Sequence, residues 1–391
     1  SYETIKQAAE ILKKVGLDVN PETKVKTLGV GKQQLIEIAK ALKKDVKILI
    51  LDEPTAALNE TDSDNLLELI KGLKQQGVTC ILISHKLREV LAVADTITVL
   101  RDGKTICTLD NREHQVRENT LIRHMVGRSI DNVFPKREKT KIGEEVLRLE
   151  NWSAYSPALG RQILKDIDIN VHAGEIVGIA GLMGSGRTEL AKSIFGNPDR
   201  FHVSGKIFIK GKEQKFRNPH DAIISQLAYV TEDRKGNGLI LIQDVKTNIT
   251  LSNLREITER GIINENEEIV VANDYKQNLN IKTPSIEQKV LNLSGGNQQK
   301  VSLGKWLFVK PGVMILDEPT RGIDVGAKYE IYTIMNSLVE RGMSIIMISS
   351  ELPEILGMSD RVYVMSGGQI KGELAGEEAT QEKIMEIAVE Y

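Results

Sequence analysis

Cysteine is almost missing from this 391-residue chain: Cys80 and Cys107 stand far apart, without Cys-x-x-Cys spacing. That excludes a disulfide framework and predicts two reduced, buried thiols in a cytosolic protein. Excess charge of either sign is also lacking. Lys and Arg number 52 against 54 Asp and Glu, a net charge of −2, so no basic field draws in nucleic acid. No apolar run approaches the ~18–20 residues of a membrane span. Val46–Leu51 and Cys80–Ile83 are short, β-branched-rich runs and read as buried strands. The opening Ser-Tyr-Glu-Thr-Ile-Lys is charged and offers no apolar h-region. Any membrane role is therefore expected to come through a partner. What remains, 41% hydrophobic and 27% charged, is ordinary globular composition, long enough for two or three domains.

The most informative feature present is an internal repeat. Leu28-Gly29-Val30-Gly31-Lys32-Gln33-Gln34 aligns with Leu293-Ser294-Gly295-Gly296-Asn297-Gln298-Gln299, and Ile50-Leu51-Asp52-Glu53-Pro54-Thr55 with Ile315-Leu316-Asp317-Glu318-Pro319-Thr320. Ile83-Ser84-His85 aligns with Ile348-Ser349-Ser350. The offset is the same each time, 293 − 28 = 317 − 52 = 350 − 85 = 265. Each copy alternates strands (Lys47–Leu51, Thr79–Ser84; Val313–Leu316, Ser344–Ser349) with amphipathic helical stretches (Ser63–Gln76, Gly326–Arg341), which predicts a mostly parallel α/β sheet. Residues 128–144 are charged, contain Pro135 and lack periodicity, and read as a linker between residues 1–127 and 145–391. Residue 1 falls opposite residue 266, so the first copy is expected to lack roughly 120 residues of a full domain and the chain to be a fragment.

Two kinds of chemistry are written into this frame. Gly181-Leu182-Met183-Gly184-Ser185-Gly186-Arg187-Thr188 follows an apolar stretch and precedes a helical pattern. It meets the phosphate-loop template G-x-x-x-x-G-K-[ST] except that Arg187 replaces Lys. Gly181, Gly184, Ser185 and Gly186 let backbone N–H groups curl round phosphate oxygens, the helix N-terminus adds its dipole, and Thr188 can ligate Mg²⁺. Arg187 keeps the charge but not the compact ammonium, so binding is expected to survive better than hydrolysis. Each copy also ends an apolar strand on Asp-Glu-Pro-Thr. Asp52 and Asp317 are placed to hold Mg²⁺, and Glu53 and Glu318, one residue on, to orient or deprotonate the attacking water.

Together these motifs resemble the nucleotide-binding domains of ABC proteins, across essentially the whole chain. The signature is Leu293–Gln299; Glu232–Lys235, Pro319–Asp324 and Ser349–Glu354 are similar to the ribose/xylose/galactose-type importer ATPases. The resemblance implies two tandem P-loop NTPase domains, each with a mostly parallel core sheet, an antiparallel β subdomain and a helical signature subdomain, the first incomplete. It implies an ATPase that powers monosaccharide import, peripheral at the cytoplasmic face of the membrane. The partners would be transmembrane permease subunits and, indirectly, a periplasmic or extracellular sugar-binding protein, not nucleic acid. One site would combine Asp52, Glu53 and His85 with Ser294, Gly295 and Gly296. The other would combine Gly181–Thr188, Asp317 and Glu318 with Leu28–Gly31. The second departs from a competent site at Arg187, at Ser350 in place of His, and at Gly29-Val30 in place of Ser-Gly, so it is expected to hold nucleotide with little turnover, and the fragment to be impaired. Tyr155, or else Trp152, would stack on adenine. Glu232 would meet the permease. Asp324 would face the opposite site, with Asn59 as its counterpart. A soluble tandem ABC ATPase acting on ribosomes or nucleic acid is the alternative, disfavoured by the short linker and balanced charge.

Overall fold

The computed structural model describes residues 2–44, 46–55, 58, 60–84, 86–101, 103–126, 134–137 and 142–389. His85 and Asn59 lie outside them. The chain divides into two compact units, Ser1–Asp131 and Asn132–Tyr391.

The first unit runs α1 (Tyr2–Lys14), α2 (Val30–Leu42), β1 (Ile48–Asp52), α3 (Glu60–Gln75), β2 (Thr79–Ile83), α4 (Leu87–Val93), β3 (Thr96–Arg101), β4 (Lys104–Asp110) and α5 (Glu118–Val126). β1 and β2 pair in parallel, β3 and β4 antiparallel, as two separate two-stranded sheets. One face of β1 is buried: Leu49 and Leu51 pack with Leu66, Leu67, Ile70 and Leu73 of α3. The strands are not buried on both faces, contrary to the sequence reading. Ile48, Ile50, Ile81 and Ile83 are 47–64% exposed, because nothing among the described residues of the unit covers that side of the sheet. Cys80 and Cys107 are likewise free but only half-buried, since both sit on these open strands.

The second unit begins with an antiparallel sheet of β5 (Glu145–Ser156), β6 (Arg161–His172), β8 (His202–Ile209) and β9 (Lys212–Gln214), in the order β6-β5-β8-β9. Between its strands come β7 (Ile176–Gly181) and α6 (Arg187–Ile194). Then follow α7 (Pro219–Ile224), β10 (Leu227–Val230), α8 (Val245–Thr250), a small hairpin of β11 (Thr258–Glu259) and β12 (Ile262–Ile263), α9 (Glu265–Asn278) and α10 (Gly295–Leu307). Last come β13 (Val313–Asp317), α11 (Val325–Glu340), β14 (Ser344–Ile348), α12 (Leu352–Met358), β15 (Arg361–Ser366), β16 (Gln369–Ala375) and α13 (Gln381–Val389). The core sheet is ordered β10-β13-β14-β7-β15-β16 and is parallel except at β16. Both faces are covered. One packs on Val301, Leu303, Ile331, Met335 and Ile355 of the helices, the other on Leu190 and Ile194 of α6 and the antiparallel sheet. Strands buried on both sides need continuous apolar runs, and β13 and β14 have them.

Seven elements of the first unit, α2 to β4, recur in the second at a fixed spacing: α10 less 265 is α2, β13 less 265 is β1, and so through β16 and β4. The segment read as a linker is partly structured. Phe134 lies on Tyr332 with ring centroids 5.3 Å apart, the Pro135 carbonyl accepts from Asn336 Nδ2 at 2.9 Å, and Arg137 pairs with Asp360. A lone aromatic in a charged run carries no periodicity, so the packing of Phe134 on Tyr332 is not legible in the sequence.

Candidate functional site

The site is built at the C-terminal ends of β7, β13 and β14, where the open parallel sheet presents its loops. β7 ends on Gly181. A side chain there would meet the Met365 carbonyl oxygen at 2.3 Å and Ser185 Oγ at 2.7 Å, so the chain can turn this tightly only with glycine. Gly186 caps α6 from the left-handed region at φ 99°, which aims the first N–H groups of the helix back into the loop. Ser185 Oγ is buried and without a hydrogen-bond partner among the described residues. An unspent hydroxyl inside a cradle of backbone N–H groups suits a phosphate oxygen.

Asp317 closes the floor. It is fully buried, its Oδ2 accepts from the Tyr229 hydroxyl at 3.0 Å, and its Oδ1 has no partner among the described residues. Burial raises its pKa above the usual carboxylate range, held back by the Thr188 and Tyr229 hydroxyls and the Arg187 charge. A buried carboxylate oxygen with an open valence beside the loop threonine fits a Mg²⁺ ion, a hard cation that takes oxygen ligands. Tyr229, on β10, was not picked out from the sequence; only the fold brings it to Asp317.

Glu318 follows in the left-handed region at φ 50°, and Glu53 in the first unit at φ 46°. The reason is the same in both. Each backbone N–H continues the ladder, Glu318 N to Ile348 O at 2.9 Å and Glu53 N to Ile83 O at 2.8 Å, while the chain turns out of the strand. Such a conformation in a non-glycine residue is uncommon and gathers at functional sites. Glu318 Oε2 accepts from Ser350 Oγ at 3.0 Å, and burial raises its pKa. A base with a raised pKa is better matched to taking a proton from water.

Arg187 is not directed along the phosphate loop. Its side chain is buried, its Nη1 donates to the Ser349 carbonyl at 2.6 Å, and its Nη2 stands 4.0 Å from Glu318 Oε1. Burial lowers its pKa, opposed by Glu318 and Asp317. The guanidinium reaches further than an ammonium and finds a carbonyl acceptor that the sequence, 162 residues away, did not reveal.

Ser349 is held by a carboxylate that the sequence named only as part of a motif. Glu354 accepts from Ser349 Oγ at 2.8 Å, Tyr332 Oη at 2.5 Å and Thr320 Oγ1, and Lys328 Nζ lies 3.1 Å away. In the first unit Thr55 Oγ1 donates to Glu89 at 2.5 Å, the same pair 265 residues earlier.

The signature residues sit at a helix start. Ser294 caps α10 and accepts from Asn297 Nδ2 at 3.0 Å; Gln298 Nε2 donates to the Leu293 carbonyl at 3.2 Å. In the first unit Gly29 caps α2 with no side-chain bond, while Gln33 Nε2 repeats the clamp on the Leu28 carbonyl at 2.8 Å. Gly296 is required because a Cβ would meet that of Ala327 at 2.4 Å; beside it Arg234 crowds Gly295 and donates to the carbonyls of Arg321 (2.8 Å) and Gly322 (3.3 Å). Glu232 pairs with Arg321, and Asp324 is spent as the cap of α11, accepting from Ala327 N at 3.0 Å. Of the two aromatics, Trp152 is buried with its Nε1 on Ser193 Oγ at 2.9 Å. Tyr155 is 37% exposed and stacks at 5.9 Å on His202. Asp52, by contrast with Asp317, is exposed.

Comparison with known proteins gives the family. The ABC transporter family model matches residues 3–56 and 164–321. The L-arabinose transport ATP-binding protein AraG of Geobacillus stearothermophilus is 58% identical over 386 residues, 98% of this chain and 75% of the relative. The xylose import ATP-binding protein XylG of Thermoanaerobacter pseudethanolicus is 53% identical over 379 residues, 97% of this chain and 74% of that one. The ribose import ATP-binding protein RbsA 1 of Rubrobacter xylanophilus is 45% identical, over the same shares. Among solved structures, a nucleotide-free ATP-binding cassette from an ABC transporter is matched over 63% of this chain and all of that one, with TM-score 0.55 and 23% identity, a likeness of fold.

Proposed function

The chain belongs to the ABC transporter family of ATP-binding proteins, and on that premise we propose how its residues share the work of one sugar importer. It is an ATP-binding subunit that hydrolyses ATP to power import of a monosaccharide. Its two units are read as two nucleotide-binding domains, residues 1–127 and 145–391, joined by 128–144. ATP binds the second unit with its phosphates in Gly181–Thr188 and its adenine on Tyr155, where His202 backs the ring. Thr188 and Asp317 hold Mg²⁺, which when bound neutralises phosphate charge. Glu318 is the base for water there, while Ser294, Gly295 and Gly296 offer a hydroxyl and helix N–H groups to the γ-phosphate of the other site, the one that Asp52, Glu53 and His85 serve.

The carrying observation for an unequal pair is the Arg187–Ser349 bond. It draws the loop cation toward Ser349 and Ser350, which follow β14, and Ser350 in place of histidine leaves Glu318 tied to a hydroxyl. The second unit therefore holds nucleotide and turns it over slowly. Asp52, Glu53 and His85 carry the faster chemistry. Transmembrane permease subunits are the partners, with a sugar-binding protein outside the membrane acting through them, and the chain works at the cytoplasmic face; no helix among the described residues is long and apolar enough to cross a membrane. The ribosome or nucleic-acid alternative draws no support from a net charge of −2 or from relatives named for sugars.

The test is phosphate release by the chain assembled with its permease. Glu53→Gln should remove most turnover and Glu318→Gln little. The reverse ranking would overturn the assignment.

A further inference from the structure

β10 and β13 run side by side in parallel, with Tyr229 opposite Ile315. Side chains alternate between the faces of a strand, so Asp317 shares the face of Ile315, the one into which Tyr229 packs. Tyr229 is 6% exposed. Its ring lies 5.6 Å from that of Phe195 at the end of α6, and Phe195 in turn meets Trp306 of α10 edge-on at 5.3 Å. This packing holds the phenol against the last residue of β13, where its Oη donates to Asp317 Oδ2 at 3.0 Å.

The two oxygens of this fully buried carboxylate are therefore unlike. Oδ2 is engaged by the phenol, while Oδ1 has no partner among the described residues. A hydrogen bond to an ionised acceptor is among the stronger ones. A cation that takes both oxygens must break it; a cation that takes one leaves it whole. The two common hard cations differ on this point. Ca²⁺ gathers roughly six to eight oxygen ligands and readily takes a carboxylate through both oxygens. Mg²⁺ is smaller, demands near-octahedral geometry, and is held by one or two carboxylates together with phosphate oxygens.

We infer that Tyr229 is a positioning residue that sets the metal preference of the second unit: by holding Oδ2 it presents Asp317 through Oδ1 alone, which suits Mg²⁺ and disfavours Ca²⁺. Phenylalanine at this place would keep the ring on Phe195 and lose only the bond to the carboxylate. The inference rests on the reading that Thr188 and Asp317 hold the metal of a bound nucleotide. It adds what neither of those residues supplies alone, a discrimination between two divalent cations.

The test uses the full chain and the preformed Mg²⁺ and Ca²⁺ complexes of a non-hydrolysable ATP analogue, titrated calorimetrically. Tyr229→Phe should tighten the Ca²⁺ complex about tenfold relative to the Mg²⁺ complex, the strength of one hydrogen bond to a charged group. The analogue's own metal preference is common to both proteins and cancels in that ratio. Infrared difference spectra read the carboxylate directly, its bands identified by their loss in Asp317→Asn. Two-oxygen coordination should be absent with either cation in the wild type and appear with Ca²⁺ in Tyr229→Phe. A parallel change in both affinities would make Tyr229 a structural strut and overturn the inference. So would a two-oxygen band in the wild type, a measurement that does not depend on the Tyr229 variant folding. If Asp317→Asn weakens both complexes while Tyr229→Phe leaves their ratio unchanged, the inference alone falls. If Asp317→Asn changes neither affinity, the metal reading falls and the inference with it.

Discussion

Arg187 Nη1 and the Ser349 carbonyl oxygen meet at 2.6 Å, joining the phosphate loop to the turn that follows β14. Lysine at 187 cannot make that forked reach and would return a compact charge to the loop. Arg187→Lys should raise single-turnover hydrolysis by the second unit by about tenfold, a change of ~1.4 kcal/mol in barrier. It should also cost about 1.5–3 kcal/mol of stability for the lost charged hydrogen bond. Phosphate release and urea unfolding measure the two, and an unchanged rate would remove Arg187 as the brake.

Asp317→Asn separates burial from metal binding. Burial is the main reason the Asp317 pKa is raised, so its charge is a cost at neutral pH without nucleotide. The amide should leave the nucleotide-free protein as stable or more so, and abolish the extra thermal shift that Mg²⁺ adds to ATP. A loss of more than about 1 kcal/mol without nucleotide would contradict the burial argument.

Glu354 shows the opposite sign. Burial raises its pKa, but Lys328 and the hydroxyls of Thr320, Tyr332 and Ser349 outweigh it and the net shift is downward. A depressed carboxylate contributes stability above its unfolded pKa of about 4.3 and loses it as pH falls toward the lowered folded value. The stability difference between wild type and Glu354→Gln should be full at pH 7 and shrink below pH ~4.5. Removing the group with Glu354→Ala should cost about 3 kcal/mol, because Lys328 and three hydroxyls lose a buried acceptor. Urea midpoints against pH test both, and a pH-independent difference would refute the assignment.

Tyr155→Ala should weaken ATP binding by about tenfold, the low end of what stacking on a base contributes. Tyr155→Phe keeps the stack on His202 and should bind within about twofold of wild type. Equal affinities for all three, read by calorimetric titration, would place adenine elsewhere.

A Cβ on Gly357 would stand 2.3 Å from the Phe134 ring. Gly357→Ala should therefore expel Phe134 and match Phe134→Ala in destabilisation, about 1–3 kcal/mol for a half-buried aromatic. The double variant should cost no more than either alone. Additive losses would mean the two do not touch.

How much of this was legible beforehand follows the length scale of each interaction. The repeat, the glycine loop and the Asp-Glu strand ends are contiguous in sequence and were read with element bounds one or two residues off at most positions. The partners of Arg187, Asp317 and Phe134 lie 162, 88 and 198 residues away, and no local pattern encodes them. Glu354 had a signal, because Glu89 stands opposite it in the repeat, but the meaning came only with Thr55 and Thr320 in contact distance. The exposure of β1 and β2 was misread for a related reason: an apolar run is local, whereas what covers a strand is set by elements distant in sequence.

The central place of β7 has a consequence in time. Its pairs in β14 begin at Ile345, so 345 − 176 = 169 residues must be synthesised after Ile176 before that strand can close its first long-range ladder. At roughly 5–20 residues per second that is on the order of ten seconds or more on the ribosome. For that interval a strand that ends up buried on both faces has both edges unpaired, and its folding is governed by loop closure over long separations. Yield of the folded chain should then depend on what shelters a nascent strand as much as on the stability of the finished sheet.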